Sequence, residues 1–187
     1  MNASADSHPE AWPSLPLDAW RETYAALHLW TQIVGKIRLS LSPWVNHSWH
    51  TTLYVTATGL TTSAIAYGSR RFQIDFDFLE HQLWLRSSDG RSARLALEPQ
   101  SVASFYRRLM DEMHKLDLDV RINGRPNEIA KSIPFDQDVT PRPYDADYAS
   151  RFWRILQQAD GVFKVFRARF LVNAARCIFF GVRPILR

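Results

Sequence analysis

The sequence predicts an α+β domain: an antiparallel sheet of about four to five strands with helices packed on one face. Three observations carry this. Apolar residues recur at helical spacing over 18–37, 102–116 and 145–170, while the stretch 49–97 alternates with period two. The links between the alternating runs are too short for helical crossovers, so neighbouring strands must run antiparallel.

The first helix is expected from Asp18, a suitable N-cap, with Trp20, Tyr24, Leu27, Trp30, Ile33, Val34 and Ile37 along it. Gly35 is a possible end; "KIRLSLS" either prolongs the helix or alternates as a short strand, and Pro43 breaks the run. "WHTTLYVT" at 49–56 reads as a strand with Trp49, Thr51, Leu53 and Val55 on one face. In "RRFQIDFDF", Phe72, Ile74, Phe76 and Phe78 oppose Gln73, Asp75 and Asp77, so burial beneath a helix is expected for the first set only. "QLWLR" and "ARLAL" flank Asp89-Gly90, a hairpin signal because the turn needs positive φ. After Pro99, Val102, Phe105, Leu109, Met113 and Leu116 define an amphipathic helix. "LDVRI" is a candidate returning strand, and residues 125–144, with four prolines, an ordered loop. Asp145 is placed to cap a last helix, with Tyr148, Phe152, Ile155, Ala159, Phe163, Phe166 and Phe170 on one side.

Composition excludes more than it selects. With 46% apolar and 13% aromatic residues the chain can bury a core and is not a disordered segment. Residues 1–11 lack the basic and apolar regions of a signal peptide and read as a flexible polar arm. No apolar run approaches the roughly 18 residues of a membrane span, so no membrane partner is expected. A single cysteine, Cys177, makes no internal disulfide, which fits a cytoplasmic location. The pI near 9.5 owes much to Arg176, Arg183 and Arg187 in an acid-free tail. Without them basic residues outnumber acidic ones by one, so no nucleic-acid partner is expected. The basic residues of the last helix read as its polar side.

The densest chemistry lies in "PWVNHSWH" at 43–50. His47 and His50, three apart, share a face only if the segment is helical or tightly turned; on a strand they diverge. A metal site would need a further ligand, for which Asp75 or Asp77 is placed to supply an oxygen, but no metal motif is present. The alternatives are a non-metal polar site of Asn46, His47 and His50, with Tyr54, or a turn whose polar groups satisfy local backbone. Asp75 and Asp77, on one side of a strand, read either as an acid–base pair or as a solvated face opposite arginines. Phosphate-loop and nucleophile-elbow motifs are absent, and nothing names a cofactor.

Several blocks together are distinctive: "WPSLP" at 12–16, "LHLWTQIVGK" at 27–36, "PWVNHSWH" at 43–50 and "LYVTATGLTTS" at 53–63. "FQIDFDF" at 72–78, "IPFDQD" at 133–138 and "RFWRILQQAD" at 151–160 complete them. Over residues 12–170 the chain resembles a bacterial family, domain-of-unknown-function family 5996. The resemblance implies no activity, and it implies a domain longer than this chain. From Leu171 the sequence departs from the family's continuation, which is close to "GKCSPVHFFWGSFDLA". The last base of each codon joined to the first two of the next nevertheless permits that block. Leu171-Val172 permits Gly, Val172-Asn173 Lys, Asn173-Ala174 Cys, and so on through Gly181-Val182. Residues 171–187 are therefore expected to be an out-of-frame tail, and 12–170 the front part of a longer domain. Two function classes stand: a small-molecule-binding or enzymatic domain with a His/Asn-lined site, or an interaction module with structural histidines. The expected partners are a small molecule or the missing C-terminal part of the same domain.

Overall fold

A computed structural model describes residues 12–129, 131–169, 179–180 and 183–184, and of residues 46–47, 179–180 and 183–184 the backbone alone. The expected arm at 1–11 and most of the tail at 171–187 lie outside the described residues.

Helix α1, Leu17–Leu41, begins one residue before Asp18. Its N-cap position is Pro16, without a side-chain cap, and Asp18 instead lies in the first turn, paired with Arg21 at 2.5 Å. Gly35 does not end the helix: it lies where a Cβ would sit 3.5 Å from the Thr51 carbonyl, so the helix runs on against the next segment. That segment corrects the expected strand at 49–56. Asn46–Thr51 form a 3-10 helix, and only Tyr54–Val55 (β1) are strand. Thr51 and Thr52 hydroxyls donate to the Ser48 and Trp49 carbonyls, at 2.9 and 3.0 Å, closing the turn that β-branched residues had suggested was extended.

Strands β2 (Gly59–Thr61), β3 (Ile65–Tyr67), β4 (Arg70–Asp77), β5 (Gln82–Ser87) and β6 (Ser92–Ala96) follow. With β1 they form a six-stranded antiparallel sheet, β1-β2-β4-β5-β6, in which β3 also pairs with β4. β2 and β3 share one edge of β4, interrupted at Thr62. There the Thr62 N–H donates to the Ile74 carbonyl at 3.0 Å, and the Ile74 N–H donates to the Thr62 hydroxyl at 3.0 Å. A side-chain oxygen thus stands in for a ladder carbonyl. Gly59 is required by close approach: a Cβ there would lie 1.7 Å from the Phe76 carbonyl oxygen.

Alternation in β4 sorts its side chains as the pattern predicts. Phe72, Ile74, Phe76 and the following Phe78 are buried, while Gln73, Asp75 and Asp77 lie on the other face, half-exposed. Burying each large apolar side chain stabilises by roughly 1.5–3 kcal/mol, so register is strongly fixed. Leu60, Phe76, Leu83 and Leu95 make one apolar row across four strands. Gly90, at φ +86°, turns β5 into β6.

Two residues, Gln100–Ser101 (β7), pair with Pro141–Arg142 (β8). Ser101 caps α2, Val102–Lys115, accepting from Ser104 N at 3.1 Å. "LDVRI" is not a strand: Leu118 and Val120 are buried without pairing, since the backbone leaves α2 through Asp117 at φ +53°. Asp145 caps α3, Ala146–Ala168, as expected, accepting from Tyr148 N at 3.1 Å. The buried stripe of α3 is displaced by one position, however, to Ala149, Trp153 and Leu156. Phe152 lies against Trp20 and is half-buried, and Phe166 is exposed; Phe170 lies outside the described residues. The reason is a polar anchor. The Trp153 indole N–H and the Gln157 amide both donate to the Thr56 carbonyl, turning that side of α3 toward β1. α1 packs against α2 and α3, α2 against β6 and α3 against β1, so helices cover the apolar face. In the tail, Phe179–Phe180 (β9) pairs with Arg183–Pro184 (β10).

Candidate functional site

The 3-10 helix at 46–51 supplies the helical backbone that two histidines three apart need in order to share a face. The side chains of Asn46 and His47 lie outside the described residues. His50 is only 5% exposed. Its Nδ1 accepts the Val45 N–H at 3.2 Å, which puts the ring proton on Nε2 and satisfies a backbone donor at the helix start. The Trp44 ring packs against the imidazole at a tilt of 58°, 5.0 Å between ring centroids. Around this buried ring the surface is apolar and open: Trp44 is 69% exposed, Val45 46% and Trp49 38%.

The carboxylates are already engaged. Asp75 accepts from the Thr61 hydroxyl at 2.5 Å, the Gln73 amide at 2.8 Å and Arg86 at 2.7 Å. Asp77 Oδ1 accepts the Leu79 and Glu80 N–H groups, both at 2.9 Å, and so shapes the β4–β5 turn. Tyr54, opposite Thr61 in the sheet, has the Arg38 guanidinium 5.0 Å from its ring centroid. Arg38 also donates to the Thr52 carbonyl. On the same open face Trp84 lies between Arg86 and Arg94, at 4.8 and 5.6 Å. Among the described residues, no group of three or more His, Cys, Asp or Glu is placed to hold a metal ion.

Two polar clusters escaped the sequence reading. On α1, His28, Gln32 and Lys36 follow one another at intervals of four, and all converge on residues 127–128. The Gln32 amide takes both backbone groups of Asn127: its oxygen accepts the N–H at 2.8 Å and its nitrogen donates to the carbonyl at 3.1 Å. That nitrogen also lies 3.0 Å from His28 Nε2. Lys36, buried, donates to Asn127 Oδ1 at 3.1 Å, and desolvation lowers its pKa. Burial lowers that of His28 too, partly offset by Glu128. The second cluster is His81 Nδ1, 2.9 Å from the Tyr144 hydroxyl. Burial pushes the phenol well above its ordinary range and lowers His81, whose charged form Asp77 favours. The four-residue spacing on α1 was a visible signal, but it is equally that of a solvated helix face. Only the fold shows that a loop covers it.

Fold and surface together define an α+β domain with a polar-braced interior and an aromatic rim around a buried histidine. No helix among the described residues is long and apolar enough to cross a membrane. Residues 12–181 match the model of the family described as "Family of unknown function (DUF5996)", and the chain belongs to that family. The match extends to residue 181, beyond the resemblance at 12–170 and into the tail expected to be out of frame. No curated protein and no solved structure matches the chain.

Proposed function

We propose that the chain acts by binding rather than by catalysis, as the front part of a longer domain in the bacterial cytoplasm. The rim of Trp44, Val45 and Trp49 is its recognition surface, and the in-frame continuation of the chain is what it receives. The observation that carries this reading is the exposure of two tryptophans around a histidine whose Nδ1 serves the backbone. Exposed aromatic clusters of this kind mark interaction surfaces. Two facts add support. Asp75 and Asp77 each hold structural hydrogen bonds, and α3 turns Val162, Val165 and Phe166 outward, each more than half exposed. A one-base shift beyond Phe170 would permit the family's aromatic block, "HFFWG", which suits such surfaces.

The test restores one base at codon 171 and compares both proteins by hydroxyl-radical footprinting. Trp44, Trp49, Val162 and Phe166 should become several-fold less reactive in the restored chain. A restored frame that meets a stop, or one that leaves all four as reactive as before, overturns the proposal. So does turnover of any substrate that His50→Ala abolishes while leaving the fold intact.

A further inference from the structure

Gln32 has no freedom in how its amide points. Its oxygen receives the Asn127 N–H and its nitrogen gives one hydrogen to the Asn127 carbonyl; exchanging the two would set N–H against N–H and oxygen against oxygen. The second hydrogen on that nitrogen therefore faces His28 Nε2 at 3.0 Å, and His28 Nε2 must be the acceptor. The ring then carries its proton on Nδ1. Once His28 is doubly protonated, Nε2–H points at an N–H. Swinging His28 away would break its stack on Tyr24, 6.0 Å between centroids, so the clash is relieved by Gln32, which turns over and drops both bonds to Asn127.

We propose that residues 125–129 are latched to α1 by Gln32 and released when His28 is protonated. Asn127 is the point of attachment, and Lys36 reinforces it from below through the Asn127 side chain. The groups around His28 are Tyr24 on its stacked face, Gln32 on Nε2, Glu128 across the loop, and Lys36 two turns further along α1. Glu128, held in left-handed backbone at φ +57°, favours the imidazolium; burial disfavours it more, and the pKa lies below the ordinary 6.5. For a histidine so depressed, the stabilisation is fully present above 6.5 and is lost as pH falls through the folded-state value. The latch is closed at neutral pH and opens on acidification.

The test is hydrogen exchange on the intact chain between pH 7.5 and 5, corrected for the intrinsic pH dependence of exchange. Protection at Asn127 should fall roughly tenfold on acidification, as expected for losing one to two hydrogen bonds, while the β4–β5 ladder stays protected. His28→Gln offers an acceptor that cannot titrate, and should abolish the step. A step that persists in His28→Gln, no step at all, or loss in parallel with the ladder overturns the proposal. Imidazole nitrogen shifts of the unmodified chain give an independent reading: the Nε2–H tautomer of His28 at neutral pH also overturns it.

Discussion

Thr62→Val keeps the shape of the side chain and removes one oxygen. That oxygen receives the Ile74 N–H at 3.0 Å and donates its own hydrogen to the Ser63 carbonyl at 2.7 Å. Thr62 and Ile74 are both fully buried, so water cannot replace the lost acceptor. Ser63 is exposed, and its carbonyl can hydrate. The loss is therefore dominated by one orphaned backbone donor, about 1–3 kcal/mol. Near the middle of that range, about 2 kcal/mol, the melting temperature of a chain this size should drop by about 4–8 °C. Thr62→Ser keeps the hydroxyl and loses a methyl group, worth roughly 0.8 kcal/mol. The assay is urea denaturation of the three proteins with shared m-values. The expected order of stability is wild type, Thr62→Ser, Thr62→Val. A Thr62→Val protein as stable as Thr62→Ser would refute the idea that a threonine hydroxyl completes the β2–β4–β3 ladder.

Gly59→Ala should cost at least about 2 kcal/mol, because its Cβ would overlap the Phe76 carbonyl and force β2 off β4. Exchange of the Phe78 N–H, which donates to the Thr58 carbonyl at 2.8 Å, should accelerate beyond the global change. The imidazole of His81 should titrate below 6.5, read by NMR, because burial outweighs the field of Asp77. With His28 shifted the same way, stability should be full above pH 6.5 and decline as pH falls through the folded-state values. His114, raised by Asp119, acts in the opposite sense, contributing below 6.5, but it is fully exposed and its ion pair is weak. A flat stability profile between pH 7.5 and 5 would contradict both shifts.

Strong periodicity made the centre of the fold legible. β4 alternates over seven residues, and a slip of one position would bury Asp75 and Asp77, so the sequence permits one register. The Asp89-Gly90 turn and the Asp145 cap were legible because each depends on local backbone chemistry alone. The strand expected at 49–56 begins only at Tyr54, because Thr51 and Thr52, which favour extended backbone in isolation, lie in and just after the 3-10 helix. Their hydroxyls instead bond the turn before them. Gly35 was readable as a stop only in the absence of a partner; packing against the Thr51 carbonyl carries the helix through it. α3 was placed correctly and rotated wrongly. Its inward face is chosen by a hydrogen bond from Trp153 to Thr56, nearly a hundred residues away, which no window along the chain contains.

The candidate site divides in the same way. Residues 43–50 announced themselves by composition, whereas the α1 stripe did not, although burial lowers the pKa of His28 and Lys36 within it. The difference lies in what covers them. Tryptophan and histidine are uncommon enough to stand out wherever they fall, but His28, Gln32 and Lys36 acquire meaning only through Asn127. A helix with polar groups at intervals of four presents them to solvent or to a loop, and sequence spacing is the same in both cases. What separates the cases is desolvation, and Lys36 registers it most clearly. It is buried, its one hydrogen-bond acceptor among the described residues is a neutral amide oxygen, and its ammonium form is disfavoured accordingly. Removing the Asn127 side chain would leave that amine without its acceptor, so the loop fixes the state of the helix as much as the helix fixes the loop. The first helix is thus more than a lid on the sheet. One side of it completes the apolar core through Trp30, Ile33 and Ile37, and another sets, through a single amide orientation, where the chain following α2 is held.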